Sequence, residues 1–126
     1  MADEIKYGFK VTVNNGNLQL SFSENSTADQ SDVDIFSTVF DVPTSYTALD
    51  IDLNGTEGWV MVRNLDANNF VELGVETAVA TFSPVVVLDP GDVQIFRLSP
   101  GPPLGGGYYA QADTSSVSLE LRVYAD

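Results

Sequence analysis

The chain has 126 residues, 44% of them hydrophobic, and eighteen acids against five bases give it a formal charge of −13. Length and apolar content suit one domain with a real core and exclude a disordered chain. The charge excludes phosphate-tracking nucleic-acid binding and anionic membranes as partners. The lack of His and Cys excludes disulfides, Ser-His-Asp and Cys-His catalysis and ordinary zinc sites.

The opening MADEIKYGF places acids where a signal peptide carries bases. No apolar run reaches the ~20 residues of a membrane span. Both features set an expectation of synthesis in a reducing cytoplasm. Residues 1–4 read as a short arm. Ile5, Tyr7, Phe9, Val11 and Val13 then alternate with polar residues, the period of a strand with one buried face. Asn14-Asn15-Gly16 is a turn signal, and Leu18, Leu20 and Phe22 resume the alternation, so 5–22 reads as a hairpin. The polar stretch 23–32 reads as a loop.

Residues 33–42, of mixed periodicity, read as a strand or two short ones ended by Pro43, and 46–53 as another strand, with Leu49, Ile51 and Leu53 on one face. The run GWVMVRNLDANNFVELGVE (58–76) has apolar alternation on both sides of Asp66-Ala67-Asn68-Asn69. It reads as a hairpin whose first strand is central and covered on both faces. Trp59 and Phe96 stand among apolar residues and are expected in the core. Two strands joined by Asp89-Pro90-Gly91-Asp92 follow; Pro second and Gly third favour a type II turn. Residues 100–107 (PGPPLGGG) form the loop richest in breakers, and two alternating segments close the chain. About nine short strands at spacings near 8–12 residues, with no helical period, predict an all-β, antiparallel β-sandwich over 1–126, a jelly roll or a related Greek-key fold.

Few residues carry chemistry. Asp50, Asp52 and Asn54 match the first half of a calcium loop, but Met61 stands where its bidentate Glu belongs. The simpler reading is the outward side of a strand, and no metal or other cofactor is expected. Acids are too numerous to single out a catalytic pair. Tyr108 and Tyr109 are adjacent, so in a strand they point to opposite faces. One of them beside Pro102, Pro103 and Leu104 would make a protein-contact patch. Ile5, Tyr7 and Phe9 could add a strand to a neighbour's sheet. Arg63 is expected to pair with an acid near its turn, Asp66 being three residues on, and to pin the register.

The runs 58–76, VLDPGDVQIFRL (87–98) and YAQADTSSVSLELRVYAD (109–126), with the MADEI opening, resemble small β-sandwich structural proteins encoded by tailed bacteriophages. The resemblance covers roughly 58–126; residues 23–46 depart from it. It implies a non-enzymatic virion component, with capsid decoration (cement) proteins the best fit. A protein of that kind sits on the capsid surface, bridges subunits of the major capsid protein and is often a homo-oligomer, commonly a trimer. Two alternatives stay open: a tail-, neck- or fibre-associated sandwich, and a carbohydrate-binding module assisted by calcium at Asp50, Asp52 and Asn54.

Overall fold

The computed structural model describes residues 4–28, 30, 35–51, 57–98 and 107–125. Among the described residues there are ten strands and no helix. The chain divides into two compact units, Met1–Ser31 and Asp32–Asp126, where the sequence suggests one domain.

The first unit is a two-stranded antiparallel ribbon of β1 (Ile5–Asn15) and β2 (Leu18–Ala28). Gly16 opens its two-residue turn at φ +57°, the left-handed conformation that a type II′ turn requires at its first position. The turn sets the register, which runs from Asn15↔Leu18 back to Ile5↔Ala28. Residues 23–28 are therefore strand and not loop. Their polarity hides this in the sequence, yet β1 offers ladder partners as far back as Ile5.

The second unit holds β3 (Ile35–Val42), β4 (Thr47–Ala48), β5 (Glu57–Asn64), β6 (Val71–Ala78), β7 (Thr81–Leu88), β8 (Val93–Arg97), β9 (Tyr109–Ala112) and β10 (Val117–Ala125). They form two four-stranded antiparallel sheets, in the orders β3-β10-β5-β8 and β4-β9-β6-β7. One apolar core lies between them. Val60 and Val62 of β5 and Leu119, Leu121 and Val123 of β10 meet Val71 and Leu73 of β6, Leu88 of β7, and Ala110 and Ala112 of β9. Each fully buried Val or Leu adds about 1.5–3 kcal/mol. The expected antiparallel sandwich is present.

Its connections differ from the sequence reading at 58–76. The strands β5 and β6 do not form a hairpin; they lie in opposite sheets and face each other across the core. Alternation gives both runs an inward face but does not say whether two such faces share a ladder or oppose each other. The Asp89–Asp92 turn also passes between sheets. It has the type II features expected, an Asp92 N–H to Asp89 carbonyl bond of 2.9 Å and Gly91 at φ +82°. Of the expected strand 46–53, the described residues 46–51 hold a strand at Thr47–Ala48, and the Leu49 N–H also reaches the Tyr108 carbonyl (2.8 Å).

Asn64, at the end of β5, is the buried polar side chain of the described core, 0% exposed. Its amide donates to the carbonyls of Asn69 (2.9 Å) and Leu88 (3.0 Å), and its Oδ1 accepts the Asp66 N–H (2.9 Å). Its backbone N–H donates to Asp92 O (3.0 Å) and its carbonyl accepts the Gly91 N–H (3.1 Å). One residue thus ties β5 to both connections at that end of the sandwich. Gly74 marks a second close approach. Pairing slips between Leu73↔Val86 and Gly74↔Pro84, leaving Val85 as the extra residue of a bulge on edge strand β7. A Cβ on Gly74 would meet the Ser83 carbonyl and stand 2.8 Å from Pro84 Cα.

Asn64→Ala strips partners from two carbonyls and an N–H, and should lower the unfolding free energy by about 2–4 kcal/mol. Urea denaturation reads it; a loss under ~1 kcal/mol would show that water replaces the amide. Gly74→Ala should cost about 1–3 kcal/mol by overpacking, and an unchanged midpoint in the same assay would mean that β7 yields freely.

Candidate functional site

Alternation along β5 turns Val60, Val62 and Asn64 into the core, so Trp59, Met61 and Arg63 face outward. Trp59 is therefore on the outer face, half-buried, and not in the core where the sequence suggested it. Phe96, paired with Val60, does pack against the core. The outer face of β5 is covered in part: Trp59 and Met61 are half-buried and Arg63 is exposed.

The ladders bring other side chains beside these three. Arg63 lies opposite Glu120 of β10 and Val93 of β8, Met61 opposite Arg122 and Ile95, and Trp59 opposite Arg97. On the same face, β3 sets Val39 opposite Glu120 and Ile35 opposite Tyr124. The outer face of β3-β10-β5-β8 thus carries Arg63, Arg97 and Arg122, with the chain's one Trp. The two remaining bases, Lys6 and Lys10, are in the ribbon. Exposed apolar side chains share this face: on β3 Ile35 is 54% exposed and Val39 57%, and on β8 Val93 is 50%. Glu120 and Asp41 are among the acids of this face. Arg122 Nη2 lies 3.5 Å from Glu120 Oε1, a surface pair worth little stability. Arg, Trp, Tyr and Met mixed with exposed aliphatics is the composition of protein-contact surfaces.

The outer face of the other sheet differs in sign. It carries Glu72 opposite Gln111, and Glu76 opposite Phe82. Tyr46 stacks on Phe82 with ring centroids 5.5 Å apart and meets Tyr109 edge-on at 5.5 Å. Its hydroxyl donates to Glu76 Oε2 (3.3 Å). Burial first, and then the Glu76 carboxylate, push the Tyr46 hydroxyl above the ordinary tyrosine range, so it stays a donor. These rings spend much of their faces on one another, which leaves less for a sugar to stack on. Between the sheets, a cavity of ≈ 100 Å³ is lined by apolar groups, among them Leu49, Val60, Leu73, Phe96 and Tyr108.

The residues singled out from the sequence separate. Ile5, Tyr7 and Phe9 lie on one face of the ribbon. Tyr108 packs against the core and Tyr109 points outward, the opposed arrangement expected, and both are half-buried. Pro102, Pro103 and Leu104 lie outside the described residues, as do Asp52 and Asn54; Asp50 is exposed. Among the described residues no group of three acids is placed to hold a metal ion.

Arg63 and Asp66 do not act together. Among the described residues Arg63 makes no ion pair, and its ladder neighbours on the outer face are Glu120 and Val93. The Asp66 carboxylate instead accepts the backbone N–H groups of Asn68 and Asn69, both at 2.7 Å. Thr114 closes the group by donating to Asn69 Oδ1 (2.8 Å). Register at this end comes from Asn64 and Asp66, through backbone partners. Neither Asn64 nor the arginine face was found from the sequence. A polar residue at an inward position of β5 was the signal for the first. Each arginine follows an inward apolar residue (Val62, Phe96, Leu121), which signals its orientation but not its sheet.

Comparisons with protein-family models, curated proteins and solved structures return no match.

The Asn68 N–H, and next the Asn69 N–H, hold the Asp66 carboxyl below the ordinary carboxylate range. A carboxyl with a lowered folded pKa contributes stability that is complete above its unfolded pKa, about 4. That contribution is lost as pH falls through the folded value. The stability gap between wild type and Asp66→Asn should therefore narrow as pH drops below ~4. Thermal melts from neutral to acid pH measure it, and a gap independent of pH would contradict the assignment.

Proposed function

We propose that this chain is a non-enzymatic virion structural protein of a tailed bacteriophage, a capsid decoration protein that bridges and stabilises capsid subunits. The class comes from the resemblance over 58–126. The observation that carries the docking role is the outer face of β3-β10-β5-β8, where the sandwich gathers its three arginines with Trp59, Met61 and Tyr124.

Lettered B to I from β3, the two sheets read BIDG and CHEF, and we read the sandwich as a jelly roll on that order. A chain of charge −13 meets an acidic partner against repulsion except where its bases are concentrated. The arginine face is that place, and Glu72 and Glu76 mark the opposite side as the one to face solvent. Docking in one orientation follows from this asymmetry. A protein that binds only the assembled, expanded lattice stabilises that lattice by mass action. The partner surface is then an acidic patch with apolar ground on the major capsid protein, at a joint between subunits.

Binding to purified phage particles lacking the protein tests the reading. Arg63→Glu with Arg122→Glu should reduce occupancy at least tenfold, a loss of about 1.4 kcal/mol or more, while the melting temperature holds. Glu72→Ala, on the other outer face, should bind as wild type does. Equal occupancy for the arginine variant would refute docking through this face.

A further inference from the structure

The ribbon has an amphipathicity that the decoration reading does not explain. In the β1–β2 register, Ile5, Tyr7, Phe9, Val11 and Val13 share a face with Leu18, Leu20 and Phe22. The opposite face is Lys6, Gly8, Lys10, Thr12 and Asn14 against Gln19, Ser21, Ser23, Asn25 and Thr27, without an apolar side chain. The apolar face is open: Phe9 is 48% exposed, Leu20 61% and Phe22 52%. Phe9 and Phe22 pack diagonally near its middle, with centroids 5.6 Å apart. A two-stranded ribbon alone in water is marginally stable at best. This one has a face that water destabilises further.

We propose that this face is covered by the same face of a second copy of the chain, ribbon against ribbon. Three observations select that occupant. First, charge: residues 1–31 hold Asp3, Glu4, Glu24 and Asp29 against Lys6 and Lys10, a net −2 of the chain's −13. Copies that repel elsewhere approach here against little of that charge. Second, area: the half-exposed Phe9, Val11, Leu18, Leu20 and Phe22 offer roughly 500 Å² per ribbon, so two ribbons bury about 1,000 Å², the threshold of a specific interface. Third, chemistry: Glu24 is the single charged side chain on the face, so it suits an equally apolar surface, as in obligate homo-oligomers. A capsid surface would also leave the face bare on every unbound copy, whereas a second copy covers it at once. The inference stands whether or not the protein belongs to a virion.

Alternation supplies the test. Leu20→Glu and Gln19→Glu add the same charge one residue apart, on opposite faces; Val11→Glu and Thr12→Glu repeat the contrast on β1. The mass of the full chain is read by light scattering after size exclusion, with near-ultraviolet circular dichroism of Trp59 reporting on the sandwich. Wild type, Gln19→Glu and Thr12→Glu should show the mass of two chains. Leu20→Glu and Val11→Glu should fall to one chain, at least a tenfold loss of association, with the Trp59 signal kept. A one-chain mass for wild type would overturn the proposal and leave the face to a different partner. So would loss of association in both members of a pair, or in neither.

Discussion

The sandwich depends on one buried amide. Leu, Val and Ala fill the core on non-directional terms, and such residues tolerate more than one relative setting of two sheets. Asn64 does not tolerate this. With side chain and backbone together it meets Leu88 at the end of β7, and Asp66, Asn69, Gly91 and Asp92, which belong to two connections that each pass between the sheets. A buried polar group with its partners in place fixes geometry, because any displaced arrangement leaves donors or acceptors unpaired at a cost of about 1–3 kcal/mol each. Asp66 and Thr114 extend the same group by holding the chain that returns to β6.

That setting has consequences on the outside. With Asn64 inward, Arg63 must face out, and β10 and β8 are ratcheted to the same frame on either side. Arg122 and Arg97 then join Arg63 on one surface, while Glu72 and Glu76 occupy the other sheet. Polarity of charge across the sandwich is thus a product of register, and register is a product of a side chain that touches no partner molecule. The proposed docking role uses that polarity, and it asks nothing of the core beyond rigidity.

Much of the fold was legible in the sequence, and particular residues show where reading stopped. Period-two alternation found the strands because each has one inward face; Val60-Val62 and Leu119-Leu121-Val123 are inward as the pattern requires. Turn chemistry at Gly16 and at Pro90-Gly91 also read true. Pairing did not. Alternation in 58–76 is the same for a hairpin as for two strands facing each other across a core; the ladders, β5 with β10 and β8 and β6 with β7 and β9, distinguish the two. The strand at 23–28 is polar on both faces and carries no periodic signal; its partner β1 makes it a strand. Arg63 looked like a register pin because Asp66 is near in sequence. The carboxylate had nearer donors in its own backbone. The arginine face was illegible because Arg63, Arg97 and Arg122 come from three separate runs whose common sheet is set by tertiary pairing.

The two units divide the work in physical terms: an acidic sandwich with one arginine-bearing face, and a weakly charged ribbon with one apolar face. A decoration protein must be abundant on its shell, so the most direct measurement is its copy number in purified virions, by quantitative mass spectrometry against the major capsid protein. A copy number of the same order as that of the capsid subunit is the result this account predicts. Absence from the particle, or the few copies of a tail or neck component, would contradict it.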